Sequence, residues 1–240
     1  MFKIYNNYSY FWLMKRGVIL FGGALSLAGC AMFNATQDPN QCNGTATYKA
    51  QFNSIWSPET HQTDFPNDAH YSNLIGATHG EDVAFWSVGN VASAGIKDIA
   101  EKGVNRKFIK EVNWAIKIDN ASSLIQGSDL KGSSGQIEVE FQVDNEFSLL
   151  TLITMIAPSP DWFLGVSGLD MCDNGKWIQT KFIELKGYDA GTDSGTTYTA
   201  TDEVTDPKAP ISILDSGVFN DKAASQSLAT LKLMLTATDL

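Results

Sequence analysis

Apolar and polar residues alternate from Ala46: Ala46, Tyr48, Ala50 and Phe52 are separated by polar positions. That period of two is the pattern of a strand with one buried face. The same alternation returns over Gln136–Val143, with Ile137, Val139, Phe141 and Val143 on one face and Gln136, Glu138, Glu140 and Gln142 on the other. Phe147–Ala157 is apolar on both faces, which predicts a central strand covered on two sides. Trp162–Leu169 and Trp177–Leu185 read as further strands, and Leu231, Leu233 and Leu235 predict a closing strand. Between the first strand and this second half the period changes. Val88, Val91, Ala92, Gly95, Ile96 and Ile99 fit one helical face that stops before Gly103, and Phe108, Ile109, Val112 and Ile116 predict a second helix. Residues 57–87 hold Pro58, Pro66 and all three histidines and read as a long irregular segment. Residues 119–135, rich in Ser, Gly and Asp, read as a loop. Strands of this length between Gly, Asp and Pro turns predict a mainly β fold, an antiparallel β-sandwich with two short helices in the connections. There is no internal repeat and no sign of a second domain in the pattern.

The N-terminus adds a targeting signal. Lys15-Arg16 precedes an apolar run from Gly17 to Leu27, too short to span a bilayer and suited to a signal peptide. It ends Leu27-Ala28-Gly29-Cys30, which is similar to a bacterial lipobox, in which the cysteine is lipidated and becomes the first residue; the alternative is an ordinary signal peptide with a chance cysteine. The aromatic stretch ahead of Lys15 leaves Met14 as a second candidate start. Residues 1–29 are thus expected to be the signal peptide, 30–44 a polar tether and 45–240 the folded domain. Ala31 lacks the acidic residue that marks inner-membrane retention in enteric bacteria, so the expected location is the cell envelope, with the outer membrane favoured.

Charge narrows the partners. The chain carries 17 Lys and Arg against 27 Asp and Glu. Removing Lys3, Lys15 and Arg16 with the signal leaves 17 − 3 = 14 against 27, a net of −13. Such a surface disfavours nucleic acid and plain electrostatic docking on anionic lipid, and it suits hard cations such as calcium. Of three cysteines, Cys30 is assigned to lipid. Cys42 and Cys172 remain as an even pair in an exported chain, either bonded or as two separate buried thiols.

Five stretches carry a resemblance: Ser57-Pro58-Glu59-Thr60-His61 with Asp64-Phe65-Pro66; Leu74-Ile75-Gly76-Ala77-Thr78-His79; Phe85-Trp86; Ile156-Ala157-Pro158-Ser159-Pro160-Asp161-Trp162-Phe163 continuing through Gly165, Val166 and Leu169 to Cys172; and Tyr188-Asp189-Ala190-Gly191-Thr192-Asp193-Ser194-Gly195. Together they span about residues 42–237 and resemble the spondin domain, the N-terminal module of the matrix proteins F-spondin and mindin. The resemblance implies an antiparallel β-sandwich and a disulfide between the positions of Cys42 and Cys172. It also implies a divalent cation held by Asp161 and Asp189. The third ligand of the family falls at Gln142, an amide where an acid is usual; Glu140, two residues away on the same strand face, is a possible substitute. Read without the resemblance, Asp161 and Asp189 are turn residues, since Asp beside Gly and Pro is normally turn chemistry. Asp193 reads either as an acceptor that orients the loop or as a plain turn residue.

Other chemistry is weaker. His61, His70 and His79 are nine residues apart, unlike the closer ligand pairs of zinc sites. Asp193-Ser194-Gly195 and Asp215-Ser216-Gly217 both carry the triplet of aspartic proteases, but a separation of 22 residues leaves no room for two symmetric lobes. No Ser-His-Asp order or phosphate-cradling glycine loop appears. The expected function is therefore a noncatalytic binding or adhesion module of the cell envelope with a calcium-ordered loop site, taking an envelope or extracellular protein or glycan as partner. The rivals are a structural envelope protein whose metal only stabilises it, and a metal-dependent hydrolase using Asp161 and Asp189. An exposed aromatic or apolar patch beside the loops would favour binding, and an open cleft with a coordinated water would favour hydrolysis.

Overall fold

A computed structural model describes residues 40–215, 217–219 and 227–239. The signal segment and lipobox, including Cys30 and the candidate start Met14, lie outside the described residues. So does the tether up to residue 39.

The chain folds as two antiparallel sheets facing each other, with a pair of helices outside the larger sheet. The four-stranded sheet contains β1 (Thr45–Ile55), β5 (Ser134–Asp144), β10 (Thr180–Leu185) and β13 (Ala229–Asp239), in the order β10-β13-β1-β5. The larger sheet is built from β3 (Ile75–His79), β4 (Ala121–Gln126), β6 (Leu149–Ala157), β7 (Trp162–Asp170), β11 (Gly187–Asp189) and β12 (Ser212–Ile213), in the order β12-β11-β7-β6-β3-β4. A two-residue strand, β2 (His70–Tyr71), pairs with the end of β6, and β8 (Cys172–Asp173) with β9 (Lys176–Trp177) forms a separate small ribbon.

The period-two pattern of β1 does what it predicts. Ala46, Tyr48, Ala50 and Phe52 are buried, together with Ile137, Phe141 and Val143 of β5 and Leu231 and Leu233 of β13. Against them pack Leu150, Leu152 and Ile156 of β6 and Leu164 of β7, so the first core lies between the sheets. The second core lies on the other side of the larger sheet. Ile75, Ala77, Ile153 and Phe163 meet Ile96 and Ile99 of helix α1 (Ala94–Lys102) and Phe108, Val112 and Ala115 of helix α2 (Arg106–Lys117). Two covered faces explain why β6 is apolar on both sides: a residue facing either way loses water, and burial of each such side chain contributes about 1.5–3 kcal/mol. The helices, which lie in the connection between β3 and β4 as expected, therefore add a third layer.

Four sequence expectations are corrected. Val88 and Val91 lie in the loop before α1 and are exposed, because the helix starts only at the Ser93 cap, whose Oγ accepts from the Ile96 N–H at 3.1 Å. Residues 119–135 contain β4, and residues 57–87 contain β3, which is buried along all five residues. Both strands are short and weakly patterned, and each gains its hydrogen bonds only from neighbours distant in sequence. Trp177–Leu185 is split, with β9 and β10 belonging to different sheets. Among the described residues no helix is long and apolar enough to cross a membrane.

Candidate metal centre

β7 begins where β6 ends, after the turn Pro158-Ser159-Pro160-Asp161. The Ser159 Oγ accepts from the Trp162 N–H at 3.1 Å and closes that turn. β11 pairs antiparallel with β7, in register Tyr188 to Phe163 and Asp189 to Trp162. Asp161 and Asp189 thus sit diagonally at the same end of the larger sheet, one just before β7 and the other at the end of β11. The Ala190 N–H donates to the Asp161 carbonyl at 3.1 Å and extends the ladder past the strand ends.

Asp161 is fully buried. Its Oδ2 accepts three hydrogen bonds, from the Thr192 N–H (2.7 Å), the Thr192 hydroxyl (3.2 Å) and the Asp193 N–H (3.0 Å). Its Oδ1 is buried and has no hydrogen-bond partner among the described residues. Asp189 is half-buried, and its Oδ1 accepts from the Gly191 N–H at 2.7 Å. Gly191 takes φ 69°, and a side chain there would meet the Ala209 carbonyl oxygen at 2.2 Å, so the turn that aims this N–H back at Asp189 requires glycine. The indole N–H of Trp162 lies beside Asp189 but falls short of a well-formed hydrogen bond.

Asp193 has a different task. Its Oδ1 accepts from the Gly195 N–H and its Oδ2 from the Glu203 N–H, both at 2.8 Å. With the Thr205 N–H bonded to the Thr192 carbonyl and the Ala209 N–H to the Gly191 carbonyl, it ties the loop after β11 to residues 203–209. Of the two readings of Asp193, the loop brace is the one its contacts support.

The electrostatics are those of an uncompensated pair. Burial, and then the charge of Asp189, push the Asp161 carboxyl up to about 6, against the partly offsetting N–H donors of Thr192 and Asp193. Burial likewise raises Asp189, and the charge of Asp193 adds to the effect, while the Gly191 N–H opposes it. A buried acceptor without a donor, next to a second acid, costs free energy unless a proton or a cation comes between them. The oxygens present are of the hard type that calcium takes. Asp161 and Asp189 therefore fit as two of its ligands, with Asp161 Oδ1 directed by the hold on Oδ2.

Gln142 and Glu140 are not brought to this pair. Both lie on the exposed face of β5, in the other sheet, where the Gln142 amide donates to the Thr47 hydroxyl at 3.2 Å. β5 runs into the start of β6, and Asp161 follows the end of β6; nine residues of strand, about 30 Å, separate the two ends. The correction is one of topology: residues near in sequence to a central strand can stand at its opposite end. Among the described residues no three His, Cys, Asp or Glu side chains form a metal cage. Among the described residues Asp161 and Asp189 stand as a pair, and further ligands drawn from those residues would be neutral oxygens.

The histidines do not converge. His79 is buried on β3, its Nδ1 2.8 Å from the Gly80 carbonyl and its Nε2 2.8 Å from the Thr151 hydroxyl, and burial lowers its pKa. His61 Nδ1 lies 2.9 Å from the Thr60 hydroxyl, and His70 Nδ1 lies 2.6 Å from the Asp68 carbonyl. His61 and His79 are thus engaged in local bracing. Asp215 is exposed, whereas Asp193 is buried. At the other end of the molecule Cys42 and Cys172 form a disulfide, fastening the start of β1 to the ribbon after β7. The Trp177 indole donates to the Asn43 carbonyl at 2.9 Å beside it. Trp56, Trp86, Trp162 and Trp177 are buried, and Trp114, on α2, is exposed.

Known proteins show the same arrangement of sequence. The family described as Spondin_N matches residues 46–234. Human Spondin-2 is 31% identical over 229 residues, covering 88% of this chain and 68% of that protein. Rat Spondin-2 is 33% identical over 171 residues, with 68% of this chain and 51% of that protein covered. Rat Spondin-1 is 36% identical over 181 residues, 72% of this chain but only 22% of that protein. The chain corresponds to one part of these longer relatives, and by the extent of these matches it belongs to the spondin N-terminal domain family.

Proposed function

We propose that the domain is a noncatalytic binding and adhesion module of the cell envelope, in which calcium, or another hard divalent cation, orders the loops at Asp161 and Asp189. The observation that carries the cation is the buried Oδ1 of Asp161, without a hydrogen-bond partner among the described residues, on a carboxylate that the charge of Asp189 pushes up. A divalent ion there neutralises both carboxylates and gives the orphaned oxygen its partner. Two carboxylates are few for calcium, so the affinity belongs in the weak range of extracellular modules, about 10⁻⁴–10⁻³ M. Kinship with the spondins supports the module reading, and the lipobox supports attachment through Cys30, with the outer membrane favoured. The partner is an envelope or extracellular protein or glycan.

Two rivals remain distinct. If the metal only stabilises an envelope scaffold, calcium changes the melting temperature without changing what the domain binds. A hydrolase is disfavoured by the full burial of Asp161 and by the three donors that already hold its Oδ2. The test is thermal unfolding of the protein in calcium and in chelator, followed by capture of envelope components under the same two conditions. Calcium should raise the melting temperature, Asp161→Ala and Asp189→Ala should each abolish that rise, and capture should require calcium. An unmoved melting curve at millimolar calcium removes the metal site; a moved curve with calcium-independent capture favours the scaffold.

A further inference from the structure

The acidic balance of the chain is not spread evenly. α1 and α2 hold Lys97, Lys102, Arg106, Lys107, Lys110 and Lys117, six of the 17 cations, against Asp98, Glu101 and Glu111. All three acids are turned to internal work. Asp98 Oδ1 pairs with Lys107 at 2.9 Å, and Glu101 pairs with Lys97. Glu111 accepts from the Ser93 hydroxyl at 2.8 Å and the Gly95 N–H at 2.7 Å, tying α2 to the start of α1. Arg106, Lys110 and Lys117 are exposed and make no ion pair among the described residues.

These three cations recur at spacings of four and seven, which is one face of a helix. Phe108, Val112 and Ala115 bury the opposite face, so the cationic stripe points outward. Trp114 stands beside it and is 59% exposed, with the Lys117 ammonium 5.5 Å from its ring. Val104 before the helix and Ile118 after it are exposed as well. An exposed tryptophan among lysines, with aliphatic residues at both ends, is the composition of a surface that meets the boundary between lipid headgroups and acyl chains. The stripe extends over 12 residues, about 18 Å, along the outside of a helix and not within a cleft. A convex, elongated cationic face matches a plane of anions better than a single ligand.

We propose that the outer face of α2, through Arg106, Lys110, Trp114 and Lys117, docks on the anionic headgroups of a phospholipid bilayer. The net charge of the chain argues against such contact only if averaged. Salt screens charges beyond about 8–10 Å, so at contact the membrane meets the local stripe and not the distant acids. Docking would lay the helical layer on the membrane and leave the four-stranded sheet, on the far side of the sandwich, facing away.

The test uses the expected mature chain, residues 30–240 carrying Cys30→Ser, which leaves out both the apolar signal segment and the acylation site, and vesicles of phosphatidylcholine alone or mixed with phosphatidylglycerol. Partition should be stronger onto the anionic vesicles and should weaken as salt rises. Each cation near such a surface is worth about fivefold in affinity, so Lys110→Ala with Lys117→Ala should reduce the anionic preference roughly 25-fold. Lys110→Arg with Lys117→Arg should restore it. Lys176→Ala with Lys181→Ala, outside the helical layer, should leave it unchanged. Brominated acyl chains should quench wild-type fluorescence more than that of Trp114→Phe, on anionic vesicles only. Equal partition onto both vesicle types overturns the proposal, as does an equal loss in the Lys176 and Lys181 variant. Retention on dextran sulfate without preference for anionic vesicles also overturns it, and assigns the face to a soluble polyanion instead.

Discussion

Replacing Asp161 by Asn separates the cost of the buried charge from the contribution of a cation. In the absence of divalent ions, the Asp161 carboxyl of the folded protein holds its proton up to about 6, against an ordinary 3.8. The folded state therefore binds more protons than the unfolded state between these values, and stability must fall as pH rises through that window. Moving a carboxyl from 3.8 to about 6 corresponds to roughly 3 kcal/mol, lost by pH 7. Asn carries no charge to desolvate. Its amide oxygen can keep the N–H donors of Thr192 and Asp193, and its NH₂ can turn toward Asp189. In chelator at pH 7.5, Asp161→Asn should thus melt higher than the wild type, by about 6–12 °C for a domain of this size. At pH 4 the two should converge. The comparison is made between the variants and not within one curve, because buried His79, whose pKa is lowered, loses stability in the opposite sense as pH falls below about 6.5. Calcium should close the gap from the other side by stabilising the wild type and leaving Asp161→Asn unmoved. Gln142→Glu, on the far end of the other sheet, should respond to calcium as the wild type does. If Asp161→Asn melts lower than the wild type in chelator at pH 7.5, or still gains stability from calcium, the account of a frustrated buried acid is refuted.

The Cys42–Cys172 disulfide closes a span of 130 residues. On the chain-entropy model this restricts the unfolded chain by about 5 kcal/mol, so Cys42→Ser should lower stability by up to that amount in denaturant titration; a change below about 1 kcal/mol would mean that the loop is already constrained when unfolded. Cys30 should take up radiolabelled palmitate in a bacterial host, and Cys30→Ser should not; labelling of the variant would reject the lipobox.

The alternation around Tyr48, Phe141 and Leu233 was legible as strands with one buried face, because a period of two has no other regular solution. The two-sided apolar run of β6 announced a strand covered twice, although not that helices supply the second cover. The motifs around Asp161 and Asp189 marked both acids, and the even cysteine pair pointed to the disulfide. What the sequence could not decide was distance. β3 and β4 carry little pattern of their own and become strands because β6 presents unpaired backbone groups to β3, and β3 to β4. Gln142 looked close to the Asp161 and Asp189 loops by family position, yet the register of β5 against β1 sends it to the opposite end of the sandwich. Asp161 could pass for a turn residue until the β7–β11 pairing set Asp189 beside it and enclosed its Oδ1. Local sequence governs periodicity and turn chemistry, since those depend on neighbours along the chain. Which charges lie together and which side chains lose water depend on strand order and register, and these are decided only when the sheets close on each other.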